Sequence, residues 1–178
     1  MTSIRGLLIS HMIWKNMNHN APHKKHSAAR HRWQNAIFNK DRLPEAYTWS
    51  AETTPGGTAF QRVICTDTGR TGRVLLYFHG GAYRDGLVPS YRNFSTGFFQ
   101  AANGCETIYL DYRCAPDYQY PTQLNEALDL WDNLTKRQGY APDQIILGGD
   151  SAGANLALAL LLKLRDLNKT MPRAAFCI

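Results

Sequence analysis

Residues 73–78 read Arg-Val-Leu-Leu-Tyr-Phe, a nearly continuous apolar run. Such a run fits a β-strand buried on both faces, which is typical of parallel strands in α/β proteins. From Gly56 onward, short apolar runs of this kind alternate with stretches of helical spacing. We therefore predict an α/β fold with a mainly parallel sheet and helices on both of its faces.

The other elements of this fold are predicted from the period of their apolar residues. Strands are expected at residues 58–66, 73–78, 106–110, 144–147 and 173–178. Helices are expected at residues 91–102, 124–139 and 152–167. The last of these helices is apolar nearly all round at its start, which indicates burial against the sheet.

Residues 1–42 hold the excess positive charge of the chain. They carry eight of the 20 Lys and Arg residues against one acid, Asp41, so the segment is at +7 while the rest of the chain is at −1. This distribution does not fit a nucleic-acid-binding core, and we expect no nucleic-acid partner. Apolar residues recur at helical spacing on both sides of Asn20-Ala21-Pro22, so we predict two amphipathic helices that pack on the body of the protein. Weak contact of residues 1–42 with an anionic membrane surface is the alternative.

The chain is accordingly divided into a basic helical segment, residues 1–42, and an α/β domain, residues 43–178. The apolar stretch 6–14 is shorter than the ~20 residues that cross a bilayer, so we predict no integral membrane segment. The four cysteines include no Cys-x-x-Cys pair. We therefore expect neither a metal site nor a disulfide framework, and a cytoplasmic location.

The sequence Gly149-Asp150-Ser151-Ala152-Gly153 matches the pattern Gly-x-Ser-x-Gly between a predicted strand and a long predicted helix. Glycines on both sides of a sharp strand-to-helix turn avoid steric collisions and leave the Ser151 hydroxyl exposed above the sheet. The helix start directs the Ala152 N–H at the same space, where it can stabilise an oxyanion. Ser151 is therefore a candidate nucleophile. The alternative is a glycine-serine helix cap without chemistry.

A second motif, His79-Gly80-Gly81-Ala82-Tyr83, follows the apolar strand 73–78. Paired glycines let the backbone bend so that successive N–H groups point into one concavity, as an oxyanion hole requires. Taken alone, the motif fits a glycine turn equally well. Because both motifs follow strands of a parallel sheet, we expect them at the same sheet edge.

Between these motifs lies Asp111-Tyr112-Arg113-Cys114-Ala115-Pro116, and Ala154-Asn155-Leu156 extends the serine motif. With these three motifs in this order, residues 56–178 resemble the hormone-sensitive-lipase-like group of the α/β-hydrolase superfamily. The resemblance implies an α/β-hydrolase fold in which the basic N-terminal helices form a cap.

The resemblance also implies a chemistry. The expected reaction is hydrolysis of small-molecule carboxylic esters through an acyl-enzyme on Ser151, without a cofactor or a metal. Its oxyanion hole would be formed by backbone N–H groups of Gly80, Gly81, Ala82 and Ala152. His79 resembles a residue that shapes this loop and does not resemble the family's general base.

The chain departs from the family in one respect. The family's triad runs from serine to an acid and then to a histidine after later strands, but this sequence has no histidine after His79. We therefore expect a fold that is incomplete at its C-terminus, a fragment lacking the triad acid and histidine, and little activity from the 178 residues alone. The alternative is a shortened, non-catalytic hydrolase-like protein that binds an acyl ligand or a partner chain.

Overall fold

A computed structural model of the protein describes residues 43–68, 71–102 and 104–178. These residues form one six-stranded sheet in the order β1-β2-β4-β3-β5-β6. Its strands are β1 (Tyr47–Thr53), β2 (Ala59–Cys65), β3 (Val74–Phe78), β4 (Glu106–Leu110), β5 (Ile145–Gly149) and β6 (Ala174–Cys177). Strands β4, β3, β5 and β6 are parallel, whereas β1 and β2 join the sheet antiparallel. The prediction of a mainly parallel sheet is confirmed.

Three α-helices connect these strands: α1 (Ser95–Ala101), α2 (Thr122–Asp132) and α3 (Ala152–Asp166). A π-helical turn, Asn133–Arg137, continues α2, and short 3-10 helices lie at Pro89–Phe94 and Pro142–Gln144. The helix predicted over residues 91–102 therefore begins as a 3-10 turn. Strand β1 is missed by the sequence analysis, although Tyr47, Trp49 and Ala51 alternate with polar residues there; its side chains are mostly exposed.

The sheet separates two apolar clusters. Successive side chains of a strand point to opposite faces, and in β3 Val74, Leu76 and Phe78 join one cluster while Leu75 and Tyr77 join the other. The first cluster includes the inward faces of α2 and α3, with Leu130, Trp131, Leu156 and Leu160. The second includes Phe98 of α1. Helices thus cover both faces of the sheet, as predicted.

Strands β3 and β5 are neighbours, and Phe78 is in register with Gly149. The Asp150 N–H donates to the Phe78 carbonyl at 3.3 Å just beyond the strand ends. Because the two strands run in the same direction, the motifs that follow them begin side by side at one edge of the sheet.

The two helices predicted within residues 1–42 lie outside the described residues. The cap, the membrane-surface contact of that segment and the domain division at residue 42 therefore stay predictions.

Candidate active site

Ser151 occupies the turn between β5 and α3. Its side chain is exposed, and its backbone adopts φ 51° and ψ −115°, a conformation that is strained for a residue with a side chain. A Cβ atom on Gly149 would lie 2.4 Å from the Gly153 carbonyl oxygen, and one on Gly153 would lie 2.0 Å from the Phe78 carbonyl oxygen. Only glycine fits at these two positions, so the Gly-x-Ser-x-Gly spacing follows from the tightness of the turn.

The loop after β3 has a second concentration of unusual backbone angles. Gly81, Ala82 and Tyr83 are three successive residues with positive φ, at 118°, 54° and 58°. The N–H groups of Arg84 and Asp85 both donate to the Gly81 carbonyl, at 2.9 and 3.0 Å, and close the loop. A loop held in such conformations is typical of sites where backbone groups serve a ligand. We call residues 79–83 the oxyanion loop.

Backbone N–H groups at this sheet edge are available to a ligand. Within the part of the chain that the structure describes, the N–H groups of Gly81, Ala82 and Ala152 have no protein acceptor. Ala152 is the first residue of α3, so its N–H lies at the positive end of the helix dipole. Such donors can stabilise negative charge on an oxygen atom.

The N–H of Gly80 is occupied. It donates to Asp150 Oδ1 at 3.0 Å and to the Tyr91 hydroxyl at 3.0 Å. The prediction that Gly80 contributes a donor to the oxyanion hole is therefore wrong. Gly80 instead permits a close approach, because a Cβ atom there would lie 2.3 Å from Asp150 Oδ2.

His79, the first residue of the oxyanion loop, is fully buried. Its Nδ1–H donates to the Gly80 carbonyl at 2.7 Å, and its ring stacks on Tyr112 with a centroid distance of 4.0 Å and an interplanar angle of 3°. Burial lowers the pKa of His79 to about 4, so the ring is neutral near pH 7. These contacts fit the predicted role of shaping the loop and are unlike those of a general base.

The third motif, residues 111–116, donates hydrogen bonds to the same loop. The Tyr112 hydroxyl donates to the His79 carbonyl at 2.7 Å, and the Ala115 N–H donates to the Tyr83 carbonyl at 2.7 Å. Glu126 of α2 holds the motif in place through the Arg113 backbone N–H, at 2.9 Å, and through the Arg113 guanidinium. Residues 111–116 thus hold both ends of the oxyanion loop by hydrogen bonds.

Two side-chain bridges join the oxyanion loop to the serine turn. The Tyr83 hydroxyl donates to Asn155 Oδ1 of α3 at 2.8 Å. The Asp150 carboxylate, besides accepting from Gly80, accepts from the hydroxyls of Tyr77 at 3.2 Å and Tyr91 at 3.1 Å. Burial, followed by the negative charge of Asp150, raises the pKa of both tyrosines, so both stay protonated as donors.

Sequence reasoning does not assign these bridging side chains. Tyr77 belongs to the predicted strand 73–78, whose apolar character indicates only a core residue. Tyr91 lies outside all three motifs, and nothing in its local sequence marks it. Asp150 and Asn155 stand within the serine motif and its extension, but the pattern Gly-x-Ser-x-Gly leaves the residue before the serine unspecified.

In residues 43–68, 71–102 and 104–178, no group of three or more His, Cys, Asp or Glu side chains is arranged to hold a metal ion. None of the helices formed by the same residues has the length and apolar character needed to cross a membrane.

Comparison with known proteins agrees with this fold and site. Residues 75–178 match a protein family described as having the alpha/beta hydrolase fold, and the chain belongs to this family. The crystal structure of an esterase from the bacterial hormone-sensitive lipase (HSL) family superposes with a TM-score of 0.75 and 27% identity, covering 100% of this chain and 58% of that one. The resemblance to the hormone-sensitive-lipase-like group of esterases and lipases is thereby confirmed.

Curated relatives give the same picture. An acetyl-hydrolase of Streptomyces hygroscopicus is 42% identical over 107 residues, which are 60% of this chain and 35% of the relative. An esterase of Acinetobacter venetianus is 36% identical over 100 residues, which are 56% of this chain and 32% of the relative. The chain thus spans about a third of the length of these relatives.

Proposed function

We propose that residues 43–178 carry the nucleophile and the oxyanion hole of a serine hydrolase that acts on small-molecule carboxylic esters. The supporting observation is the strained, exposed Ser151 beside three backbone N–H groups, those of Gly81, Ala82 and Ala152, that have no acceptor in the described chain. The names of the relatives, an acetyl-hydrolase and an esterase, favour the same class of reaction. A cytoplasmic location stays a prediction.

The reaction follows from these groups. The Ser151 Oγ attacks the ester carbonyl carbon and gives its proton to a general base, while the carbonyl oxygen becomes an oxyanion. The N–H groups of Gly81, Ala82 and Ala152 stabilise that oxyanion, and one such donor is typically worth about 10²–10³-fold in rate. The intermediate collapses to an acyl-enzyme as the alcohol leaves with the proton. Water then gives a proton to the base and attacks the acyl carbon; the bond from that carbon to Ser151 Oγ breaks, Oγ takes the proton back, and the acid is released.

We expect the general base of this reaction to lie outside the described residues. Their one histidine, His79, is the first residue of the oxyanion loop, where it is buried and neutral. We therefore expect the 178 residues alone to hydrolyse p-nitrophenyl esters near the background rate, since an unactivated serine hydroxyl is a weak nucleophile. Vigorous hydrolysis would contradict this expectation and would indicate that a histidine of residues 1–42 reaches Ser151.

A fluorophosphonate probe tests the nucleophile in the protein expressed from its complete coding sequence. We expect the probe to label Ser151, and Ser151→Ala to abolish both labelling and hydrolysis of p-nitrophenyl butyrate. Ser50→Ala is the matched control, because Ser50 is an exposed serine of β1. Labelling that survives Ser151→Ala would refute the assignment, and a folded protein without turnover would favour the non-catalytic alternative.

A further inference from the structure

Tyr91 links the two halves of the site through a single hydroxyl group. That hydroxyl accepts the Gly80 N–H at 3.0 Å and donates to the Asp150 carboxylate, with both oxygens at 3.1 Å. Gly80 belongs to the oxyanion loop, whereas Asp150 directly precedes the proposed nucleophile. A phenolic hydroxyl can donate and accept at once, so it can connect a backbone N–H to a carboxylate.

The Tyr91 hydroxyl binds the peptide group that joins His79 to Gly80, at the start of the oxyanion loop. In the peptide that joins His79 to Gly80, the carbonyl accepts from the Tyr112 hydroxyl at 2.7 Å and the N–H donates to Tyr91 and Asp150. Both the carbonyl and the N–H of this peptide are therefore fixed by hydrogen bonds.

The next peptide, between Gly80 and Gly81, is then oriented in turn. Its carbonyl accepts from His79 Nδ1 at 2.7 Å. In a planar trans peptide the N–H points away from the carbonyl, so the Gly81 N–H is directed to the side opposite His79. This N–H has no protein acceptor in the described chain.

We infer that Tyr91 is a positioning residue that sets the direction of the Gly81 N–H in the oxyanion hole, by holding the Gly80 N–H against Asp150. This inference rests on the proposed function. The position of Tyr91 is itself fixed. Its backbone N–H donates to the Val88 carbonyl at 3.1 Å. Its ring packs against four other rings, those of Tyr77, His79, Phe94 and Tyr109. The hydroxyl therefore has a defined position.

Tyr91→Phe tests the inference, because it keeps the ring and removes only the linking hydroxyl. Tyr109→Phe is the matched control: its hydroxyl is buried in the same aromatic cluster but contacts Ser95 Oγ, at 3.0 Å, and neither Gly80 nor Asp150. In the protein from its complete coding sequence, we expect Tyr91→Phe to lower kcat about tenfold and to change KM less than about twofold, because a misdirected donor weakens binding of the transition state more than that of the substrate. The affinity for a trifluoromethyl ketone, whose adduct with serine carries an oxyanion, should fall by the same factor as kcat.

Hydrogen exchange supplies a readout that does not depend on activity. We expect Tyr91→Phe, and not Tyr109→Phe, to speed amide exchange in a peptide that covers residues 79–83. Equal exchange in the two variants, or faster exchange without a loss of kcat relative to Tyr109→Phe, would overturn the inference. Absence of Ser151-dependent turnover in the wild type would instead overturn the proposed function, and the exchange comparison would still decide whether Tyr91 positions the loop.

Discussion

The α-carbon of Gly153 lies against the carbonyl oxygen of Phe78, so closely that a Cβ atom on Gly153 would sit 2.0 Å from that oxygen. Gly153 is in the first turn of α3, and Phe78 is the last residue of β3. This contact draws the start of α3 onto the end of the neighbouring strand. It thereby brings Ser151 beside the loop that begins at His79.

Gly153→Ala should therefore lower the free energy of unfolding and displace Ser151 from the oxyanion loop. The added methyl group would meet backbone atoms that cannot rotate away, so α3 must shift, and we expect a loss of about 2–3 kcal/mol in the free energy of unfolding. Urea denaturation measures this loss, and fluorophosphonate labelling of Ser151 should fall with it. Gly97→Ala is the control, since Gly97 is a helical glycine and a methyl group added there would meet nothing within 4 Å. That control should be neutral or stabilise by about 0.5–1 kcal/mol.

The oxyanion loop offers a pair of opposite substitutions. Ala82→Gly keeps the backbone N–H and relieves a positive φ of 54°, so ester hydrolysis should stay within about twofold of wild type. Gly81→Ala places a side chain at φ 118°, with its Cβ 3.0 Å from the Asp85 carbonyl oxygen, and should lower kcat by at least about tenfold through displacement of the loop. Steady-state kinetics compare the two variants. A large loss in Ala82→Gly would show that the methyl group, and not the N–H alone, serves the site.

The features predicted from sequence are those with a local signal. The apolar run 73–78 predicts β3, and the helical spacing of apolar residues in 152–167 predicts α3, each within a few residues of its observed bounds. The two glycine-flanked motifs predict that Ser151 and the oxyanion loop meet at one sheet edge, because the ends of adjacent parallel strands meet there.

The features that sequence reasoning misses depend on contacts between distant residues. Strand β1 lies at the sheet edge with mostly exposed side chains, so the alternation of Tyr47, Trp49 and Ala51 with polar residues does not mark it as a core element. The occupied N–H of Gly80 and the bridging role of Tyr91 depend on where Asp150 lies in three dimensions, and no spacing along the chain encodes that position. A motif thus indicates which backbone segment forms the loop but does not indicate which of its N–H groups are already bonded.

A buried ion network lies on β2 and β4. The Arg62 guanidinium, 3% exposed, pairs with Glu106, which is 2% exposed, and with Glu52 at 2.9 Å. It also donates to Gln138 at 2.6 Å and to the Tyr140 hydroxyl at 3.2 Å. Removal of the cation leaves a buried carboxylate without its partner charge, so Arg62→Met should lower the free energy of unfolding by about 3–5 kcal/mol.

The Arg62 prediction has an internal check. Adding Glu106→Gln to Arg62→Met removes the stranded charge and should recover part of the loss, as measured by urea denaturation. Arg165→Ala is the surface control, because Arg165 and Asp166 are both largely exposed, and it should change stability by less than about 0.5 kcal/mol. Equal effects of Arg62→Met and Arg165→Ala would mean that the network contributes nothing to the fold.

His79 makes the stability of the protein depend on pH. Burial lowers its pKa from 6.5 to about 4 in the folded state. Between these two values the unfolded chain binds a proton at this residue and the folded chain does not, so acidification favours unfolding. Over this window the free energy of unfolding should fall by up to about 3 kcal/mol. Above about pH 7 the ring is neutral in both states, so His79 no longer makes the free energy of unfolding depend on pH.

His79→Gln isolates this effect, because every other titratable group is shared by the two proteins. Urea denaturation of both at several pH values between about 4 and 8 gives the difference in their free energies of unfolding. We expect the advantage of wild type over His79→Gln to be constant above about pH 7 and to shrink steadily as the pH falls toward about 4. Parallel profiles over the whole range would mean that His79 binds a proton as readily in the folded protein as in the unfolded chain. The ring could then not be the neutral, buried group that holds the Gly80 carbonyl.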